Sequence, residues 1–218
     1  MQPNRIIDLT MDLTNQTPVF PGDPTPHIYP AATLDEDGCS VHHLHIASHT
    51  GTHVDAPYHF FKDGARMDQL DLHLFIGSGL IIPVQGKNER EPITLADTQA
   101  YIEKAKPGDI ALFHTGWAQY AGTDKYERHP YIHRDTARAL RDQGVRVIGI
   151  DALNPDQTGS DDFSVHDEIL GREGVLIENL TNLEHVDVAN PMISVLPLKL
   201  PGGDGSPVRA VAMEGSCR

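Results

Sequence analysis

The sequence predicts an α/β fold: a mixed β-sheet with few helices. Three observations carry this. Seven short segments rich in Val, Ile and Leu are bounded by Gly, Pro, Asn or Asp, the usual strand punctuation. Only three segments carry helix signals. Between Leu80 and Asp151 the order is strand, helix, strand, helix, strand, as in crossover units. With 16 Pro and 19 Gly in 218 residues, the remainder reads as strand and loop. No repeat, low-complexity tract or linker divides the chain, so a single domain over residues 1–218 is expected.

The expected strands are Ile6–Leu9, Leu80–Val84, Ile110–His114, Val145–Asp151, Val175–Glu178, Ile193–Leu198 and Val208–Met213. A first helix runs from a Thr94 cap, with Asp97 three residues on, through Ala105, and Pro107-Gly108 ends it. A second spans Asp135 to Gln143 and stops at Gly144. A short third starts at Ser164 and stops at Gly171. Pro201–Pro207 reads as a turn-rich loop.

Acidic residues outnumber basic ones 31 to 17, a formal net charge of -14. Such a field repels phosphate, which excludes general affinity for nucleic acid or an anionic membrane surface. Apolar stretches such as Gly79–Val84 are too short to cross a bilayer. The first 19 residues lack a basic start running into an apolar stretch, so no secretory signal is expected. Cys39 and Cys217 are too few for a disulfide framework and read as free thiols, which suits the cytoplasm.

Histidine is the unusual entry, with 13 residues. Four groups able to bind metal or move a proton, His49, His53, Asp55 and His59, fall within 11 residues. Gly51 and Pro57 exclude a helix there, and an extended chain places these odd positions on one side. A straight strand would still separate His49 from His53 by about 13 Å, too far to share one ion. The chain must therefore bend, and Gly51 can bend without steric penalty. The expectation is a strand ending in a turn that gathers His49, His53 and Asp55 around a metal. Two imidazoles and a carboxylate suit zinc, manganese or iron and leave positions for water and substrate.

The run His49-Thr-Gly-Thr-His53-Val-Asp55-Ala-Pro57-Tyr-His59-Phe60 resembles the signature of the cyclase-like metal hydrolases. That family includes bacterial kynurenine formamidase and isatin hydrolase. Pro18-Val19-Phe20-Pro21-Gly22-Asp23 and Gly149-Ile150-Asp151 also match, in the family's order.

The resemblance implies a mixed β/α fold of the swivelling type, assembled as homodimers or homotetramers with sites near subunit contacts. It implies that His49, His53 and Asp55 hold a first divalent ion, zinc or manganese. His166 and Glu178, twelve residues apart, would complete a site for a second, and His59 would be the catalytic acid/base. Phe20 stands where the kynurenine formamidases carry Trp; it keeps an aromatic face toward substrate without the indole N–H. The implied function is hydrolysis of the C–N bond of a small amide, such as the aryl formamide of N-formylkynurenine. A cyclic amide or lactone opened by the same chemistry is the alternative, and a metal-dependent binding module without turnover is the reading from another class.

Residues outside the signature have plainer expectations. Period-two counting places His43 and His45 opposite Leu44 and Ile46 on a strand, facing solvent or packed. His73, His114, His129, His133 and His185 lack ligand-like spacing among themselves. Trp117, after the strand ending at His114, borders substrate or fills core. Asp161-Asp162 solvates a loop. Neither a Gly-rich phosphate loop nor a Gly-x-Ser-x-Gly elbow is present.

Overall fold

The computed structural model describes residues 3–215, so Cys217 lies outside the described residues. The chain runs β1 (Arg5–Asp8), β2 (His27–Ala32), α1 (Leu34–Asp37), β3 (Val41–His45), β4 (His53–Asp55), β5 (Ile76–Pro83), β6 (Pro92–Ile93) and α2 (Leu95–Ile102). It continues β7 (Ile110–His114), β8 (Tyr131–Ile132), α3 (Arg134–Asp142), β9 (Val147–Ile150), α4 (Ser164–Ile169), β10 (Val175–Glu178), β11 (Met192–Ser194), β12 (Gly205–Pro207) and β13 (Val211–Glu214).

Nine strands form one mixed sheet in the order β1-β13-β11-β5-β7-β9-β10-β4-β12. The middle four, β5, β7, β9 and β10, are parallel, and α2, α3 and α4 are the crossovers between them. Antiparallel strands flank this block on both sides. The α/β class with a mixed sheet and few helices is therefore as the strand–helix alternation requires.

β7 shows how the sheet sorts its side chains, because all five of its residues are buried. Ala111 and Phe113 face a core shared with Ile102 of α2, Leu140 of α3 and Val165 and Ile169 of α4. Ile110 and Leu112 face a second core with Ile7, Val54, Ile177 and Ile193. The sheet curls around that second core. Beyond β1, Leu9 donates its amide to Ala210 and accepts from Thr181, and Thr10 bridges Leu180 just past β10.

Thr94 and Asp97 cap α2 reciprocally, as expected, but the regular helix stops at Ile102. Lys104 and Ala105 continue it only as tighter three-residue turns, bonding back to Tyr101 and Ile102. Helix α4 is fixed to α3 by Glu168, on which Arg134 and Arg138 converge at 2.7 and 2.9 Å together with Arg141.

Other boundaries differ from expectation. The strand expected over Val208–Met213 begins at Val211, because Val208 bridges Pro197 instead of joining β13. The strand expected over Ile193–Leu198 ends at Ser194. A hairpin of β2 and β3 was not fully legible: it pairs His27 with His45 and Tyr29 with His43 on one exposed face. His43 and His45 thus face solvent, His45 stacked on Tyr29 and His43 tilted against it. Cys39 is a free, exposed thiol.

Candidate metal centre

Strand β4 is three residues long and fully buried between β10 and β12. Its register sets the centre. Val54 turns into the second core, so His53 and Asp55 both face the helices. Glu178 lies directly opposite His53 across the antiparallel pair and shares that face. His53 Nε2 is 3.3 Å from Asp55 Oδ1 and 3.5 Å from Glu178 Oε2. The other nitrogen, Nδ1, donates to the carbonyl of Gly51 at 2.7 Å, which fixes the ring and presents Nε2 to the carboxylates.

His49 comes from the turn preceding β4, where Gly51 has φ +66°. The bend is at the residue expected, but the turn leads into the strand and does not follow it. His49 is held between two carboxylates, Nδ1 at 2.7 Å from Asp55 and Nε2 at 3.2 Å from Asp204. Gly205 makes room for it: a Cβ there would lie 2.6 Å from His49 Cε1. His59 ends the 3₁₀ turn Pro57–His59, so it leaves the extended line expected for the four odd positions. Its ring centroid is 4.0 Å from that of His49, and its Nδ1 is 3.8 Å from Asp204.

His166 enters from the first turn of α4. Its Nε2 is 3.8 Å from Asp55 and 3.7 Å from Glu178, and its Nδ1 donates to Asp156 at 2.6 Å. The fold therefore brings His49, His53, Asp55, His59, His166 and Glu178 together.

Burial and neighbouring charges pull the groups of this cluster in opposite directions. Burial would raise the Asp55 carboxyl, but His53 and His49 overcome it and hold the group well below the usual range. Glu178 moves the other way, well above its ordinary value, through burial and the adjacent Asp55 charge. Its Oε1 is buried without a hydrogen-bond partner among the described residues. Burial opposes a charged His49, yet Asp204 and Asp55 raise it to about 10. Burial pushes His59 down to about 4. Two groups of donor atoms each fall within 4.8 Å, His49–Asp55–His59 and His53–Asp55–Glu178. Asp55 belongs to both. An orphaned carboxylate oxygen beside imidazole nitrogens is the donor chemistry that borderline divalent ions take, so these residues fit a metal.

A cavity of about 200 Å³ opens on the cluster, with Phe20, Phe60 and Phe163 among its walls. Trp117 is not in that wall; it packs in the helix-side core beside Tyr120. Sequence reasoning missed Asp204, Asp156 and Asn179. Asp204 sits in the segment read only as a turn-rich loop, and Asp156 in Asn154-Pro155-Asp156, a stretch to which no role was assigned. Among the described residues no helix is long and apolar enough to cross a membrane.

Known proteins resemble this chain in sequence and in fold. A family profile described as "Putative cyclase" matches residues 7–157. A kynurenine formamidase of Bacillus cereus is 31% identical over 219 residues, covering 97% of this chain and 98% of that one. An isatin hydrolase structure bound to the product analogue thioisatinate superposes with TM-score 0.89 at 22% identity, covering 97% and 92% of the two chains. A structure described as a potential metal-dependent hydrolase with cyclase activity gives TM-score 0.80 at 25% identity over 97% and 98%. With more than half its length matched by the profile, and a relative 31% identical across 97% of it, the chain belongs to the cyclase family.

Proposed function

We propose that this protein is a metal-dependent hydrolase of a small amide, with an aryl formamide such as N-formylkynurenine as the preferred substrate. One observation carries the reading: buried Asp55 is shared by two donor groups while, among the described residues, Glu178 Oε1 has no hydrogen-bond partner. A buried carboxylate pair of this kind is costly unless a cation or proton satisfies it. His49, His53, Asp55, His166 and Glu178 would hold one or two divalent ions, zinc or manganese. Bound there, such an ion would supply Lewis-acid polarisation of the acyl oxygen and a water activated near neutral pH.

The remaining work falls to the chain. His59 borders the cavity as a neutral imidazole at pH 7, because burial disfavours its charged form. It is thus in the state to take a proton from the attacking water and pass it to the departing nitrogen. An amine leaves poorly without that proton. Phe20, Phe60 and Phe163 offer ring faces to a flat substrate and limit water in the cavity. The kynurenine formamidase relatives support the formamide assignment.

The test is metal analysis of the purified protein, followed by reconstitution of apo protein with zinc or manganese and assay on an aryl formamide, a cyclic imide and a lactone. Metal-dependent turnover of the formamide is expected. Preference for a cyclic substrate keeps the chemistry and moves the substrate. Bound metal with no turnover on any of them leaves a binding module and ends the hydrolase reading. We further propose self-assembly as a homodimer or homotetramer in the cytoplasm; the exposed Tyr29, Val41 and Leu44 of the β2–β3 hairpin support it, and light scattering tests the assembly.

A further inference from the structure

We propose that Asn179 is a catalytic residue, its side-chain amide donating a hydrogen bond to the acyl oxygen of the substrate. The inference rests on the hydrolase reading above and adds to it a donor contributed by the chain itself.

The position of Asn179 follows from one backbone feature. It comes directly after Glu178, the last residue of β10, and on a continuing strand it would face the second core. Instead its φ is +57°, in the left-handed region that Asn tolerates better than most residues. That turn places Asn179 in the wall of the same cavity as Glu178 and His59. The backbone is anchored on both sides: its N–H donates to Ala152 at 2.9 Å, and its carbonyl accepts from the Thr52 hydroxyl at 2.6 Å. Only 2% of the residue is exposed.

The orientation of the amide is equally determined. Tyr126, buried to 1% exposure, donates its hydroxyl to Asn179 Oδ1 at 2.8 Å. A buried phenol needs an acceptor for its one hydrogen, and Oδ1 is the partner it finds. The amide can then offer only Nδ2 to the other side. Among the described residues Nδ2 has no hydrogen-bond partner, yet it is not sealed off as Glu178 Oε1 is, so it opens on the cavity. A donor pre-aimed into a cavity stabilises charge developing on an acyl oxygen without reorganising during the reaction. Tyr126 is the positioning residue of this pair.

The test compares metal-loaded parent protein with Asn179→Gly, Asn179→Asp and Tyr126→Phe on the best substrate of the panel. Glycine accepts the positive φ, and aspartate keeps the acceptor for Tyr126 while removing the donor. Both should lower kcat about 100-fold or more, with KM changed by only a few fold and metal stoichiometry equal to the parent's. Tyr126→Phe frees the amide to rotate and should lower kcat by less, again with metal retained. Turnover of Asn179→Gly within threefold of the parent overturns the proposal. So does a loss that tracks lost metal, which would make Asn179 a prop for Glu178. A parent that binds metal but hydrolyses nothing removes the hydrolase reading, and this inference with it. A parent that turns over beside equally active variants removes this inference alone.

Discussion

His166 and Asp156 are joined twice. The imidazole Nδ1 and the backbone N–H of His166 both donate to Asp156 Oδ2, at 2.6 and 3.1 Å, while Val165 N–H goes to Oδ1 at 2.8 Å. One buried carboxylate thus satisfies the free amides at the start of α4 and fixes the ring of a candidate ligand ten residues away. Asp156→Asn should keep an acceptor for one helix amide but lose the charge that orients and polarises His166. Metal affinity, read by competition with a chromophoric chelator, should fall about 10- to 100-fold. Unchanged affinity would reduce Asp156 to a helix cap.

Glu178 makes a sharper prediction because its two states pull in opposite directions. In metal-free protein its carboxylate is buried beside Asp55 and disfavoured in its charged form. Glu178→Gln removes that penalty, so the apo variant should melt at or above the apo parent. The same change removes a ligand. Metal at 100 times its Kd should stabilise the parent by about 2.7 kcal/mol, and the variant by far less. Thermal melts of both proteins with and without zinc check the pair of outcomes. A variant that destabilises the apo protein and keeps the full metal shift contradicts the assignment.

The ligand cluster was legible where the chain itself sets geometry. His53 and Asp55 are two apart on a strand and so share a face, and Gly51 is the residue in the signature that bends the chain toward His49. Glu178 could be suspected as an acid ending an apolar strand, but its place opposite His53 depends on register, which local pattern does not contain. Asp204 was out of reach for the same reason. It lies 155 residues from His49 in a Gly-rich loop, and only the β12–β4 pairing brings them together. The parallel core of the sheet was legible because buried parallel strands are continuous apolar runs. In the β2–β3 hairpin the alternation of His43 and His45 with Leu44 and Ile46 marked β3, but β2 (His27–Ala32) has no such pattern and its pairing with β3 was not legible.

His59 separates chemistry from binding. His59→Ala should lower kcat by about 10² to 10⁴, the range for a lost acid/base, with metal content unchanged. His53→Ala should lose metal and turnover together, because its Nε2 faces both Asp55 and Glu178. Elemental analysis alongside steady-state kinetics distinguishes the two variants. Full activity in His59→Ala assigns the proton transfer to another group, and metal loss there makes His59 a ligand of the His49–Asp55 group.

A histidine away from the centre sets an acid limit on stability. His129 is 1% exposed; its Nδ1 donates to the Pro130 carbonyl at 2.9 Å, so its Nε2 accepts from the Thr158 hydroxyl at 2.8 Å. That arrangement needs the neutral ring, and burial lowers the group to about 4. The unfolded chain therefore binds this proton first, near pH 6.5, and folding must exclude it. The stability His129 contributes is complete above pH 6.5 and is lost as pH falls through 4, at a cost of about 3 kcal/mol for a shift of this size. Urea denaturation of the metal-free parent and of His129→Gln between pH 7 and pH 4 measures it. The variant should be the less stable at pH 7, where Gln fits the two hydrogen bonds imperfectly, and the gap should close as the parent takes up the proton. A gap that stays constant across the range would mean that His129 is already charged in the folded protein, or that its burial costs the charged ring nothing.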